Sequence, residues 1–497
     1  MDIFQFITQK SKQAGLKRID LANKINVSKT TMHRYMHGEF IIYPEKEADI
    51  AKALKLTKEE RKQFHEIITQ TIPKRPMQKA YQAMDTLVFG SDEQMQALTD
   101  RDVLFLSADR NVISTSKMFE RILLHATEKD FECSVRIIHG ISEDYVPRLV
   151  GLLEELFKIV PSATVEHLIS TSSKDYAKAI NILTTTLPLL KYSNYSLYYS
   201  KNDLPDDFKC VFKRSFYIST SFKNNGERKH ENFLISFPEH SIPICLISSD
   251  PMLHEMLTNE YLDVRKDFEN SLCEFRNIGV GEEFLIELEQ NYDIALIKPN
   301  QCYSNIPVEV YRSLIDRCDT ETKKKCAAGI VGTVVPDEAV DSIIDSMIAS
   351  IRVRVDASFA RTQTVSCSKS GLLEFSQTGR LTDHLNWLPS FDKNEIKICL
   401  EYLRDRNKDE HDSFRLYVTR EDILKNGYIL CVCKDDGLFI EYNQEAYRIS
   451  PNKNLYIKNK IIADVVYDYA ESHIPSSHSL TREETTNYIN ELIETHL

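Results

Sequence analysis

Between Arg18 and Gly38 the chain carries two short helical patterns, broken only by Asn26-Val27-Ser28. A break that short forces the two helices into a sharp, fixed angle. The first pattern, Ile19 to Ile25, turns Leu21, Ala22 and Ile25 to one face. The second, Lys29 to about His37, turns Met32 and Tyr35 inward and leaves Lys29, Thr30, His33 and Arg34 outward. Asn26 tolerates the left-handed backbone that such a turn requires, a place more often taken by glycine. Ser28 is placed to cap the second helix by accepting a backbone N–H bond, and Gly38 to end it. An earlier helix opens at Ile3-Phe4-Phe6-Ile7. Two more follow: Pro44 to Leu54, with the stripe Ile50, Ala51 and Leu54, and one that starts at the capping box Thr57-Lys-Glu-Glu60 and carries Phe64, Ile67 and Ile68. Residues 1–70 therefore read as an all-α domain of five helices.

Charge is divided unevenly around this head. Of 62 Lys+Arg and 74 Asp+Glu in 497 residues, 16 and 9 fall within residues 1–80. The head thus carries a net +7 and the remainder a net −19. A basic head on an acidic body suits attraction of a polyanion to the head alone, since phosphate contacts supply the sequence-independent part of nucleic-acid affinity.

The run Leu21 to Gly38 closely resembles the helix-turn-helix of the Cro/C1 (XRE, lambda-repressor-like) family. The small Ala22, the Val27-Ser28 turn, the apolar Met32, the aromatic Tyr35 and the terminal Gly38 stand where that family has their counterparts; Asn26 departs from its usual glycine. The resemblance covers about 14% of the chain (residues 1–70 of 497). It implies a bacterial, sequence-specific transcription regulator that binds double-stranded DNA. By the same resemblance Lys29, Thr30 and Arg34 take the base-reading positions, with Arg34 the candidate for a bidentate guanine contact. Arg18 takes a phosphate-touching position at the first helix of the pair, and Ser28, Thr31 and His33 complete the candidate DNA-binding set. A single small head binds one half-site weakly, so a homodimer is expected.

Residues 71–84 read as a linker in which Pro73 and Pro76 disfavour helix. From there alternating strand and helix patterns predict a large mixed α/β body, divided as a regulatory domain over 85–290 and a second regulatory or dimerisation domain over 291–497. Strand candidates at 102–107, 134–138 and 163–169 alternate with helices at 117–126 and 145–160, which predicts parallel strands; a helical stretch is expected from Met252 to Phe275. Further on, Thr364 to Cys367 and Ser370 to Gly379 read as flanking a loop. Segments Phe414–Val418, Tyr428–Cys433 and Leu438–Tyr442 read as an antiparallel meander turning at Asp435-Asp-Gly437, and Ile457 to Tyr469 as a helix. The stretch 102–275 faintly resembles the phospholipase-D-like fold, which also serves as a sensor domain in some transcription factors. None of the 14 histidines is followed two places on by lysine, as the H-x-K-x4-D signature of that family requires, and His230-Glu-Asn is the nearest in context. The resemblance therefore implies a degenerate site kept for binding.

No nucleotide cradle, nucleophile elbow, H-E-x-x-H helix or paired C-x-x-C occurs. The chain reads as a non-enzyme, with no catalytic residue, no metal and no cofactor, and a small-molecule, peptide or protein effector as the body's expected partner. The alternative is a protein-interaction or enzymatic body with a vestigial head. The 11 scattered cysteines read as reduced thiols, with Cys431 and Cys433 on opposite faces of a strand and so poorly placed to share a metal. With no secretory signal at the amino terminus and no apolar run of about 18 residues, a cytoplasmic protein with no membrane partner is expected.

Overall fold

The computed structural model describes residues 3–25, 27, 29–37, 42, 44–70, 74–90, 104–107, 112–138, 146–169, 176–200, 215–236, 244–273, 278–300, 305–331, 333–381, 388–409, 412–425, 427–442 and 454–497. It is a mixed α/β protein with two sheets and many helices.

The described residues of 3–70 form helices α1 (Ile3–Gln13), α2 (Arg18–Lys24), α3 (Lys29–Met36), α4 (Pro44–Ala53) and α5 (Lys58–Gln70). Ile3, Phe6 and Ile7, three and four apart, share the buried face of α1. Phe6 stacks on Phe64 of α5, ring centroids 5.2 Å apart and planes 9° from parallel. Lys10 pairs with Glu60 at 2.6 Å and fixes the same two helices to each other. The capping box at α5 is formed in both directions: Thr57 N–H donates to Glu60 Oε2 at 2.8 Å and Glu60 N–H to Thr57 Oγ1 at 3.2 Å. Leu21, Ala22, Ile25, Met32, Tyr35 and Phe64 close one core.

Helix α6 (Lys74–Phe89) corrects the expectation that Pro73 and Pro76 keep this stretch from being helical. Pro76 lies in the first turn, where an N–H has no acceptor within the helix, so its missing donor costs nothing there. The helix buries Ala80, Ala83, Met84, Leu87 and Val88 against the helices Tyr176–Thr186 and Lys460–Asp468. At its end the Val88 carbonyl accepts from Leu424 N–H at 2.7 Å.

The first sheet joins β1 (Leu104–Ser107), β2 (Val112–Ser114), β3 (Lys129–Ile138), β4 (Thr164–Ile169), β5 (Tyr195–Ser200), β6 (Ser215–Asn224), β7 (Glu227–Ser236), β8 (Ile244–Ser248) and β9 (Phe268–Asn270) in the order β2-β1-β8-β7-β6-β3-β4-β5-β9. The expectation of parallel strands holds for β3, β4 and β5, which the helices Val146–Ile159 and Tyr176–Thr186 connect. It is corrected for β1, which pairs with β2 and β8 away from β3 and β4; β6 and β7, for which no orientation was expected, form an antiparallel hairpin because Asn225 and Gly226, at φ +53° and +85°, make the two-residue turn whose twist matches the strands. The expected helix from Met252 to Phe275 ends at Arg265, after which the chain enters β9, passes Ser271 and crosses to the second sheet.

That sheet joins β10 (Leu272–Cys273), β11 (Ile294–Ile297), β12 (Gln363–Ser368), β13 (Phe414–Thr419), β14 (Tyr428–Cys433), β15 (Gly437–Tyr442) and β16 (Asn454–Ile457) in the order β10-β16-β15-β14-β11-β12-β13. Three expectations are corrected here. Residues 363–378 are a strand and a helix rather than the borders of a loop, and Ser368 caps the helix by accepting from Gly371 N–H at 3.0 Å. β13 is a parallel edge strand paired with β12, not part of a meander; only β14 and β15 form the hairpin expected at Asp435-Asp436. Ile457 ends a strand, and the helix begins at Lys460 behind Asn459, whose Oδ1 accepts from Ile462 N–H at 3.0 Å. Cys431 and Cys433 also depart from their expected placement. Residues two apart in a strand share a face, and both lie in the core that the second sheet shares with the helices Ile278–Asn291 and Val340–Ala360. Among the described cysteines Cys133, Cys245, Cys326, Cys367, Cys399, Cys431 and Cys433 are buried thiols.

One core runs between the two sheets. Val135, Val165 and Leu197 of the first sheet and Leu430, Val432, Ile440 and Leu455 of the second belong to it, together with α6 and the helices Tyr176–Thr186 and Lys460–Asp468. Among the described residues no helix is long and apolar enough to cross a membrane.

Candidate nucleic-acid interface

α2 and α3 are set at their angle by burial. Leu21, Ala22 and Met32 are fully enclosed, and Lys46 of α4 donates to the Ile25 carbonyl at 2.9 Å, holding the end of α2. With that face of α3 buried, the other turns out. Lys29 and His33 are exposed, and Thr31 and Arg34 are half-buried at its margin. Thr30 is helical, but its side chain, like Asn26, Ser28 and Gly38, lies outside the described residues. Arg18, exposed on α2, donates from Nη1 to His33 Nδ1 at 3.0 Å. An imidazole accepting at Nδ1 carries its proton on Nε2, which leaves an outward donor. His33 in turn packs on His37, ring centroids 4.2 Å apart, and His37 stacks on Phe4 at 4.7 Å. Arg18 and His33, assigned separately from sequence, are thus brought into one basic row that links the two helices. Backbone phosphates and base edges are both within the chemistry of such a row, because every outward group in it donates.

The body holds two polar sites of its own. A cleft of about 320 Å³ opens where Asp293, ahead of β11, meets Arg415 of β13, Lys434 beyond β14, and Asp464, Asp468 and Glu471. Arg415 pairs with Glu471, whose carboxyl burial pushes above its usual range while the guanidinium opposes that shift. Carboxylates outnumber cations on these walls, a setting suited to a small polar ligand bearing positive charge. Beside the cleft, Asp468 accepts from Tyr81 of α6, and Asp85, His473 and His478 gather close enough to hold a metal ion. No metal spacing marks these three in the sequence. Asp85 stands 388 residues before His473, and His473 and His478 are five apart, an interval that a regular helix splays by about 140°.

No family model matches the chain, and no curated protein matches it. Among solved structures, phosphatidylserine synthase from Haemophilus influenzae Rd KW20 is matched at 10% identity and a TM-score of 0.24, over 84% of this chain and 96% of that one. The matched structure is that of an enzyme, where a non-enzyme was expected of this chain. At this TM-score the likeness gives this chain neither a fold nor an activity.

Proposed function

We propose that the chain is a sequence-specific regulator of transcription that binds double-stranded DNA through its head. The observation that carries this reading is the basic row of Arg18, Lys29, His33 and Arg34 on the face of α2 and α3 turned away from the core. In it α3 enters the major groove as the reading helix and Arg18 meets the flanking phosphate. The excess of acidic over basic residues beyond residue 80 opposes contact of the body with DNA and so favours the head as the contact surface. The body then serves to pair two heads on a palindromic site and to receive a small-molecule, peptide or protein signal.

Genomic footprinting of the protein beside a Lys29→Ala, Arg34→Ala double variant tests it. The wild type should protect a short palindromic motif. The variant should lose discrimination there by about 1–3 kcal/mol per good base contact while keeping salt-sensitive, non-specific affinity. A wild type that protects no motif under several growth conditions would exclude the reading.

A further inference from the structure

The helix Lys460–Asp468 does not end as an α-helix. It continues through a π-helical turn, Tyr469–His473, and then a short helix, Ile474–Ser477. Pro475 has no N–H to give to the carbonyl four residues back, which removes one rung of the regular ladder. The wider turn presents His473 towards α6, and His478, just past the short helix, approaches from the same side. Both meet Asp85, one imidazole on each carboxylate oxygen: His473 Nε2 lies 3.2 Å from Oδ2 and His478 Nε2 3.6 Å from Oδ1.

We propose that Asp85, His473 and His478 form a binding site for a divalent first-row transition-metal ion, Zn²⁺ foremost, which fastens α6 to the π-turn. The three ligand atoms lie within 4.8 Å of one another. A tetrahedral ion with bonds of about 2.0–2.1 Å holds its ligand atoms roughly 3.4 Å apart, and the approaches of the two imidazoles to the carboxylate, 3.2 Å to one oxygen and 3.6 Å to the other, lie close to that spacing. The charge balance points the same way. The carboxylate can accept from both rings, one on each oxygen, but a divalent ion takes the two imidazoles in neutral form and balances the carboxylate charge itself. Two imidazoles and one carboxylate suit Zn²⁺, Co²⁺ or Ni²⁺, and not Mg²⁺ or Ca²⁺, which prefer oxygen alone.

The surroundings hold these groups in place. Tyr469 donates its O–H to Asp85 Oδ1 at 2.9 Å, the orienting contact a ligating carboxylate needs. Phe89 stacks on His478 with centroids 4.0 Å apart, and Tyr81 and Tyr469 flank the His473 ring at 4.9 and 5.3 Å. The aromatic rings thus fix both imidazole planes. Asp85, His473 and His478 keep 33%, 24% and 22% of their side-chain surface, which gives an ion its path and a water the fourth position. These contacts stand whether or not the head binds DNA.

The test uses the full chain, stripped with a chelator and titrated with Co²⁺ and Zn²⁺. The readouts are the visible absorption of tetrahedral Co²⁺ and the stoichiometry of Zn²⁺ by calorimetry. Because the chain has other thiols and histidines, the wild type is compared with His473→Gln and His478→Gln, each checked by circular dichroism for an unchanged fold. The wild type should bind one ion more than either variant, and excess Mg²⁺ or Ca²⁺ should not displace it. Tyr469→Phe, which leaves all three ligands in place, should keep the ion but bind it about 10–100-fold more weakly. Equal uptake by the wild type and both histidine variants, or no uptake at micromolar Zn²⁺, would overturn the site.

Discussion

In the head, Phe6 meets Phe64 inside a core drawn from residues 3–68 alone, whereas Leu430 and Ile440 of the second sheet share their core with Val135 and Leu197 of the first. The difference lies in what each part needs for burial. Five short helices enclose their own apolar stripes. Each sheet leaves one face for helices to cover, Tyr176–Thr186 on the first and Lys460–Asp468 on the second, and these two helices pack on each other and on α6. The head is therefore expected to melt by itself and the two sheets to melt together.

Paired core truncations put the largest strain on this contrast. Phe64→Ala should destabilise the head by about 3–5 kcal/mol, and Leu430→Ala the body by about 2–5 kcal/mol. Hydrogen exchange should show the first variant losing protection in α1–α5 only, and the second losing it in both sheets at once. Release of β12 and β14 without β3 and β4 in the second variant would mean that the shared core does not couple the sheets.

A pH titration sharpens the same contrast. His167 of β4 is fully enclosed, its Nδ1 2.9 Å from the Tyr195 hydroxyl, and burial pushes its pKa down to about 3. The unfolded chain takes up that proton near pH 6.5. The body's stability is then whole above that value and falls as the pH drops from about 6.5 towards 3, by up to about 1.4 kcal/mol per pH unit. His167→Gln should flatten the fall in the body and leave the head's profile as it was, measured by denaturant unfolding at a series of pH values. The smallest effect is expected from Thr57→Ala, which opens the capping box at α5 and should cost about 1 kcal/mol, read as faster exchange of the first amides of that helix alone.

The parts of the molecule that were legible in the sequence are those built from near neighbours. The inward set Leu21, Ala22, Ile25, Met32 and Tyr35, and the box at Thr57, depend on intervals of three or four residues, and the structure forms them as read. Strand pairing depends on distant partners. β13 looked like the start of a meander because β14 and β15 follow it, yet its partner β12 lies some fifty residues earlier. Asn225-Gly226 is a local hairpin signal that the reading of the sequence did not use. Pro76 misled because a proline in a first turn and one that breaks a helix look alike until the start of the helix is known. Of the residues read as outward, Lys29 and His33 are exposed, while the Arg18–His33 contact was not foreseen. The grouping of Asp85 with His473 and His478 depends on docking α6 against the far end of the chain, which no spacing encodes.

Helix α6 follows the head in sequence yet is buried as part of the body. Anyone dissecting or rebuilding the protein meets this directly. A fragment cut after Gly90 would carry Ala80, Ala83, Met84, Leu87 and Val88 into water as a bare stripe, and the remainder would be left with an empty trench between its helices. A cut at 71–73 separates two pieces that each keep their apolar surface covered. Exchange of one head for another on this scaffold, by a laboratory or by recombination, therefore has its natural joint just ahead of Lys74.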